Sequence, residues 1–175
     1  MIVEQKSYAQ VLIVSKSDFI FSDHYRQYAE ACPFMCFPGI AAKDFRCSLK
    51  KPQEVVPDKD VILVLDSYWD QLASEEKKAI LDHELGHISN GDLIEVAKKM
   101  QSGAGVANKV DFGQESKADA YSVEMNGKKS MHNALYKALE VMIAPYKARN
   151  KSLTVQTILN ADPIIKKRME ILSEA

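Results

Sequence analysis

Ser74-Glu-Glu-Lys-Lys-Ala-Ile-Leu-Asp-His83-Glu84-Leu-Gly-His87-Ile-Ser-Asn-Gly91 is the stretch on which the reading of this chain turns. Ser74 has the side chain of a helix N-cap, and Glu75 and Glu76 place negative charge in the first turn, where the helix dipole favours it. Ile80, Leu81, Leu85 and Ile88 recur at helical spacing, and Asn90-Gly91 is a stop signal. The spacing predicts a helix over 75–90. Within it His83 and His87 are four residues apart, so both imidazoles lie on one face and can reach one ion. Glu84 falls on the same side. Leu81, Leu85 and Ile88 fall opposite and are expected to anchor the helix in the core, while Gly86 allows another backbone to approach closely.

On the N-terminal side, Val61–Leu65 is a compact β-favouring run that ends at Asp66, so the motif helix closely follows a strand. A second strand is expected at 9–14, and a helix from Ser22-Asp23 to the break at Pro33. Pro33, Pro38, Gly39, Pro52 and Pro57 predict an irregular 33–59 with room for one strand. On the C-terminal side, Asp92 caps a further helix to about Met100, and 101–113 reads as a loop. A helix over about 114–125 stops at Asn126-Gly127. Ser130 opens a long helix with Ala134, Leu135, Ala138, Leu139, Met142 and Ile143 on its apolar face, bent or ended by Pro145. Asp162-Pro163 starts the last helix, with Asp as cap and Pro in the first turn. The pattern is α+β, with a mostly helical C-terminal half, and its length suits one domain over 1–175.

Composition removes several function classes. The 175 residues are 46% hydrophobic and 27% charged, values of an ordinary globular chain. Lys+Arg total 23 against 24 Asp+Glu, for a net charge of -1, so neither a nucleic-acid clamp nor a polybasic membrane binder is indicated. No apolar run approaches the roughly 20 residues of a membrane span. Met1–Lys6 lacks a basic-then-apolar leader pattern. Cys32, Cys36 and Cys47 are odd in number, which excludes a complete disulfide framework and suits a cytoplasmic location. A metal site on these cysteines would need His24 as fourth ligand; buried free thiols are the commoner outcome.

His83-Glu-Leu-Gly-His87 is the H-E-x-x-H pattern of zinc peptidases. Zinc lowers the pKa of a water it binds to about 7, and a neighbouring carboxylate can take that proton as the water attacks a carbonyl. A catalytic zinc takes three protein ligands. A third histidine six residues beyond His87 is absent, since Asn90 and Leu93 stand at the positions such a motif uses. A glutamate on a later helix is the other route, and Gln114-Glu115-Ser-Lys-Ala-Asp119 supplies it. Glu115 would ligate. Asp119, one turn on, would accept the free N–H of a ligand histidine and fix its tautomer. Ala118 is small enough to let the two helices pack. Alone this segment would be a solvated helix start; the upstream histidine pair makes it a ligand segment.

These two segments, His83-Glu-Leu-Gly-His-Ile-Ser-Asn-Gly-Asp92 and Glu115-Ser-Lys-Ala-Asp119, resemble the gluzincin metallopeptidases of the HtpX and CAAX-prenyl-protease type. Tyr68–Glu76 is similar to that family's lead-in to its active-site helix, and the resemblance covers about 60–172. It implies a zincin-like fold, a small mixed sheet packed on the active-site helix and the glutamate-bearing helix. It implies one Zn2+ on His83, His87 and Glu115, with Glu84 as general base. The family's later His-Pro and downstream Arg appear here as Asp162-Pro163 and Arg168, so Asp162 replaces a histidine. Arg168 either stabilises a developing oxyanion or, the reading favoured here, braces the acidic site. His132, Tyr121 and Tyr136 are further oxyanion candidates. The 27 residues of segment 88–114 include no stretch expected to span a bilayer, unlike membrane members of the family, so a preference for prenylated or membrane substrates is not implied.

The expected activity is therefore zinc-dependent endopeptidase chemistry on a protein or peptide substrate. That substrate is expected to bind as an added strand beside Val61–Leu65, taken as the sheet edge. Two alternatives stand beside it: a non-cleaving zinc-bearing regulatory or binding module that uses the same cleft, and a helical domain with a chance motif. The N-terminal third either blocks the cleft or completes the sheet. Oligomeric state has no signature in these residues.

Overall fold

Two apolar runs decide the architecture. Strand β2 (Gln10–Val14) and strand β4 (Val61–Leu65) are buried at every position and pair in parallel, Gln10 opposite Val61 and Val14 opposite Leu65. Runs buried on both faces belong in a sheet interior, and each is flanked by an antiparallel outer strand. β1 (Ile2–Gln5) lies on β2, and β3 (Phe34–Phe37) lies on β4, giving the order β1-β2-β4-β3. The computed structural model describes residues 1–19, 32–102, 111–147 and 149–173. Residues 22–31 of the helix expected from Ser22-Asp23 to the break at Pro33, His24 among them, and most of the expected 101–113 loop lie outside the described residues.

The expectation that Val61–Leu65 forms the sheet edge is corrected: β4 is an inner strand, and the edge strands are β1 and β3. The described part of the N-terminal third thus completes the sheet. Region 33–59, expected irregular with room for one strand, holds that strand as β3 and also helix α1 (Ala42–Ser48). Gln10, fully buried at the start of β2, ties the 52–60 segment to the sheet. Its amide donates to the Val56 and Lys59 carbonyls at 2.7 and 3.1 Å, and its oxygen accepts from Val56 N–H at 2.9 Å.

Helices make up the rest: α2 (Asp66–Trp69), α3 (Ser74–Ser89), α4 (Asp92–Gln101), α5 (Phe112–Asn126), α6 (Lys128–Lys147), α7 (Val155–Ala161) and α8 (Pro163–Ser173). α3 carries the H-E-x-x-H residues, and its cap is Ala73 rather than Ser74. The Glu76 carboxylate reaches back to accept Ala73 N–H at 2.8 Å and takes the Lys137 ammonium at 2.5 Å, so the first turn is fixed to α6. Asp111 caps α5 and Asp162 caps α8, each accepting backbone N–H groups of the first turn. Pro145 sits in the last turn of α6, which ends soon after it. No helix among the described residues is long and apolar enough to cross a membrane.

The burial of α3 departs from expectation. Leu81, Leu85 and Ile88 are only partly buried, whereas Ala79, Ile80, His83, Glu84, Gly86 and His87 are buried. α5 packs on the histidine side at very short range: a Cβ on Gly86 would stand 2.9 Å from Ala118 Cα and 3.2 Å from Tyr121 Cβ. Two further bonds tie the pair. Ser122 Oγ donates to the Ala79 carbonyl at 2.6 Å, and Asn126 Nδ2 donates to Asp82 at 2.7 Å. The polar face is therefore inside the fold, where its groups need partners.

Candidate metal centre

His83 and His87 converge because they are one turn apart on α3, and Glu115 meets them because Gly86 and Ala118 let α5 come close. The His83 and His87 Nε2 atoms are 3.2 Å apart. The Glu115 carboxylate oxygens lie 3.6 Å from His83 Nε2 and 3.5 Å from His87 Nε2. Ligand atoms of the three residues all fall within 4.8 Å of one another. Donors about 2.0–2.1 Å from one tetrahedral ion stand roughly 3.3–3.5 Å apart, so the spacing suits a single bound metal ion.

The outer nitrogens sharpen this fit. His87 Nδ1 is 2.8 Å from Asp92 Oδ2, and His83 Nδ1 is 2.9 Å from Asp119 Oδ1. The second contact lies off the N–H direction, so it acts through charge proximity rather than an in-line hydrogen bond. Carboxylates only accept, so they hold protons on both Nδ1 atoms and leave lone pairs on both Nε2 atoms. Two lone pairs and a carboxylate that converge this closely could hold a cation. In its absence a proton serves: burial acts to lower the His83 pKa, but Asp119, Glu115 and Glu84 outweigh it and raise it to about 9. The converse holds for the acids. Burial opposes ionisation, yet His83 and Arg168 together hold Glu115 and Asp119 at about 2. The donor set fits Zn2+: two imidazole nitrogens, one carboxylate, and a carboxylate behind each ring.

Arg168 lies within this cluster, 6% exposed. Its Nε and Nη2 donate to the two oxygens of Asp119 at 2.8 and 2.9 Å, and its Nη1 meets Glu115 at 2.5 Å. The guanidinium is spent on holding the two acids in place. Glu84 is buried, with Oε1 4.0 Å from His83 Nε2, and it lines the same cleft of about 430 Å³.

Cys32, Pro33 and β3 residues Phe34–Cys36 form another wall of this cleft. Phe34 sets its ring edge-on to His83 at 5.9 Å and stacks on Tyr68 at 5.6 Å; the Tyr68 hydroxyl in turn donates to the Ala134 carbonyl at 2.7 Å. The thiols of Cys32 and Cys36 face the same space. Burial first, then the Glu84 charge, pushes the Cys32 thiol up to about 12 and the Cys36 thiol up as well. Both stay protonated, outside the anionic donor set. Cys47 is exposed on α1.

Other expected residues are not brought together here. His132 stacks on Tyr136 at 6.5 Å and does not line the cleft. Tyr136 is 40% exposed, and Tyr121 packs beside Gly86, away from the cleft. Asp162 does line the cleft, but its Oδ1 accepts Ile164 and Ile165 N–H at 2.9 and 3.1 Å, so it works as a helix cap. Asp92 is the site residue that sequence reasoning left as a mere cap. Gly91, at φ +78, turns the chain after α3 so that the Asp92 side chain returns to His87.

The chain matches no family model, no curated protein and no solved structure.

Proposed function

We propose that this chain is a zinc-dependent metalloendopeptidase of zincin-like architecture, of the gluzincin kind. The observation that carries the reading is the convergence of His83 Nε2, His87 Nε2 and the Glu115 carboxylate, with Glu84 on the wall of the same cleft. His83, His87 and Glu115 would hold the ion; Asp119 and Asp92 would fix the two rings. Bound zinc would supply a Lewis acid that polarises a carbonyl and acidifies water. Glu84 takes the proton from the attacking water and passes it to the leaving amine. Arg168 keeps Glu115 and Asp119 aligned and ionised. The substrate backbone pairs with the edge of β3 that does not face β4, so its scissile bond passes over His83 and Glu84.

A second reading is a non-cleaving zinc module that holds a partner in the cleft. It is favoured by one feature, Asp162 in the place of the family histidine, with its carboxylate turned into its own helix. Cleavage of a mixed peptide library by wild type and Glu84→Gln, both zinc-loaded, separates the two. The peptidase reading predicts turnover in wild type alone. Equal cleavage by both would remove Glu84 as the base, and cleavage by neither would favour the binding module.

A further inference from the structure

A second hollow lies toward the other end of β3 and shares no lining residue with the metal cleft. Phe34, at one end of β3, meets His83; Phe37, at the other, leads through Gly39 into α1. There α1 and the 49–57 segment enclose an open groove of about 660 Å³. Its walls are fixed before any ligand arrives, which lowers the ordering cost of binding. Gly39 passes so close to its neighbour segment that a Cβ on it would stand 2.3 Å from the Asp58 carbonyl oxygen, and its N–H donates to Asp60 at 2.8 Å. Arg46 Nε donates to the Pro52 carbonyl at 3.0 Å, which ties α1 to the facing turn. Gln10 of β2 holds the Val56 backbone, next to Pro57.

Two kinds of surface meet in this groove. Lys43, Arg46 and Lys50 supply positive charge, and both lysines are exposed. Residues 43–51 hold four basic residues against one acidic, in a chain whose net charge is -1. Lys43 Nζ lies 3.4 Å from Asp58, but both side chains are well exposed, and a pair of that kind gives way readily to another carboxylate. Leu49, Pro52 and Pro57 supply apolar surface, and the prolines have no N–H to offer. An extended peptide turns alternate side chains to opposite sides, with like-facing residues about 6.4–6.8 Å apart. Acidic and apolar residues in alternation therefore place carboxylates toward the cations and apolar side chains toward the leucine and prolines. A nucleic-acid strand fits less well, because none of the described lining residues is an aromatic on which a base could stack.

We infer that this groove docks an extended acidic segment of a partner protein, one in which acidic and bulky apolar residues alternate. The site is separate from the metal centre and does not depend on whether the chain cleaves peptides.

The test is calorimetric titration of the full chain, zinc-loaded and zinc-free, with acetyl-Glu-Leu-Glu-Leu-Glu-amide and two controls, one with Ser for Leu and one with Lys for Glu. The Glu-Leu probe is expected to bind at least about tenfold tighter than either control, with or without zinc, and to weaken as salt is raised. Cys47 is exposed and lines the groove, so the bound probe should slow its alkylation by iodoacetamide severalfold. Lys43→Glu combined with Lys50→Glu, at two exposed positions, should abolish the preference while the urea midpoint stays unchanged. Either control bound as tightly as the Glu-Leu probe, binding that requires zinc, Cys47 alkylation unaffected at saturation, or full affinity in the doubly substituted chain overturns the groove and leaves the metallopeptidase reading standing. Tighter binding of a thymidine oligonucleotide of equal charge overturns it in favour of a nucleic acid.

Discussion

Replacing Gly86 with Ala sets two physical effects against each other. Helix propensity favours the substitution, since Ala in a helix interior is better than Gly by about 1 kcal/mol. The packing of α3 on α5 opposes it. The new Cβ would stand 2.9 Å from Ala118 Cα, 3.3 Å from Ala118 Cβ and 3.2 Å from Tyr121 Cβ. Carbon atoms rest at roughly 3.5–4.0 Å, so α5 must retreat by about 0.6 Å or more, and the nearest obstacle is backbone that no rotamer change can move. Overpacking of this kind costs about 1–3 kcal/mol, which leaves a net loss of about 0–2 kcal/mol in the metal-free protein. The same retreat carries Glu115 away from His83 and His87, and metal sites tolerate only about 0.2 Å in ligand distance. Zinc affinity should fall by about tenfold or more. Urea unfolding of the metal-free protein and competition with a chelator measure the two effects. A Gly86→Ala protein as stable as wild type or more so, with unchanged zinc affinity, would refute the claim that this helix contact sets the ligand distances.

Three further outcomes are expected. Asp92→Ala removes the carboxylate behind His87 and should weaken zinc about tenfold to a hundredfold by chelator competition; wild-type affinity would show that the 2.8 Å contact has no bearing on the metal. Gln10→Ala leaves the Val56 N–H and the Val56 and Lys59 carbonyls without their partner in a buried setting, and should lower unfolding free energy by about 1–3 kcal/mol in urea titrations. The third concerns pH. His83, raised from 6.5 to about 9 by carboxylates that outweigh its burial, contributes stability to the metal-free fold that is full below pH 6.5 and lost as pH rises through about 9. Zinc displaces that proton, so the melting-temperature gap between zinc-loaded and metal-free protein should widen from pH 6.5 to 8.5. A gap that stays constant or narrows would contradict the charge balance drawn for the site.

What the sequence alone revealed, and what it hid, divides by the range of the interactions involved. The i,i+4 histidines, the Asp162 cap and the turn at Asn126-Gly127 depend on neighbours along the chain, and they were legible. So was the pairing of Gly86 with Ala118, because small residues signal close approach. One strand within 33–59 was expected, but its place was not legible: Phe34–Phe37 is only four residues between two prolines, and its strand character comes from pairing with β4. The edge position assigned to Val61–Leu65 was a misreading that the residues themselves argue against, because five consecutive apolar residues describe a strand covered on both faces. Asp92 escaped because its approach to His87 depends on a left-handed glycine between them. The burial of the histidine face over the leucine face of α3 was hidden too. It is set by α5 and α6, and it is tolerable because Glu115, Asp119, Asp92 and Arg168 supply the partners.

The most direct test of the account is zinc per chain after extensive dialysis, in wild type and in Glu115→Ala. One zinc per chain in wild type, with substantially less in Glu115→Ala, is the predicted result. No zinc in wild type, or a full complement in Glu115→Ala, would contradict the ligand set on which the proposed chemistry rests.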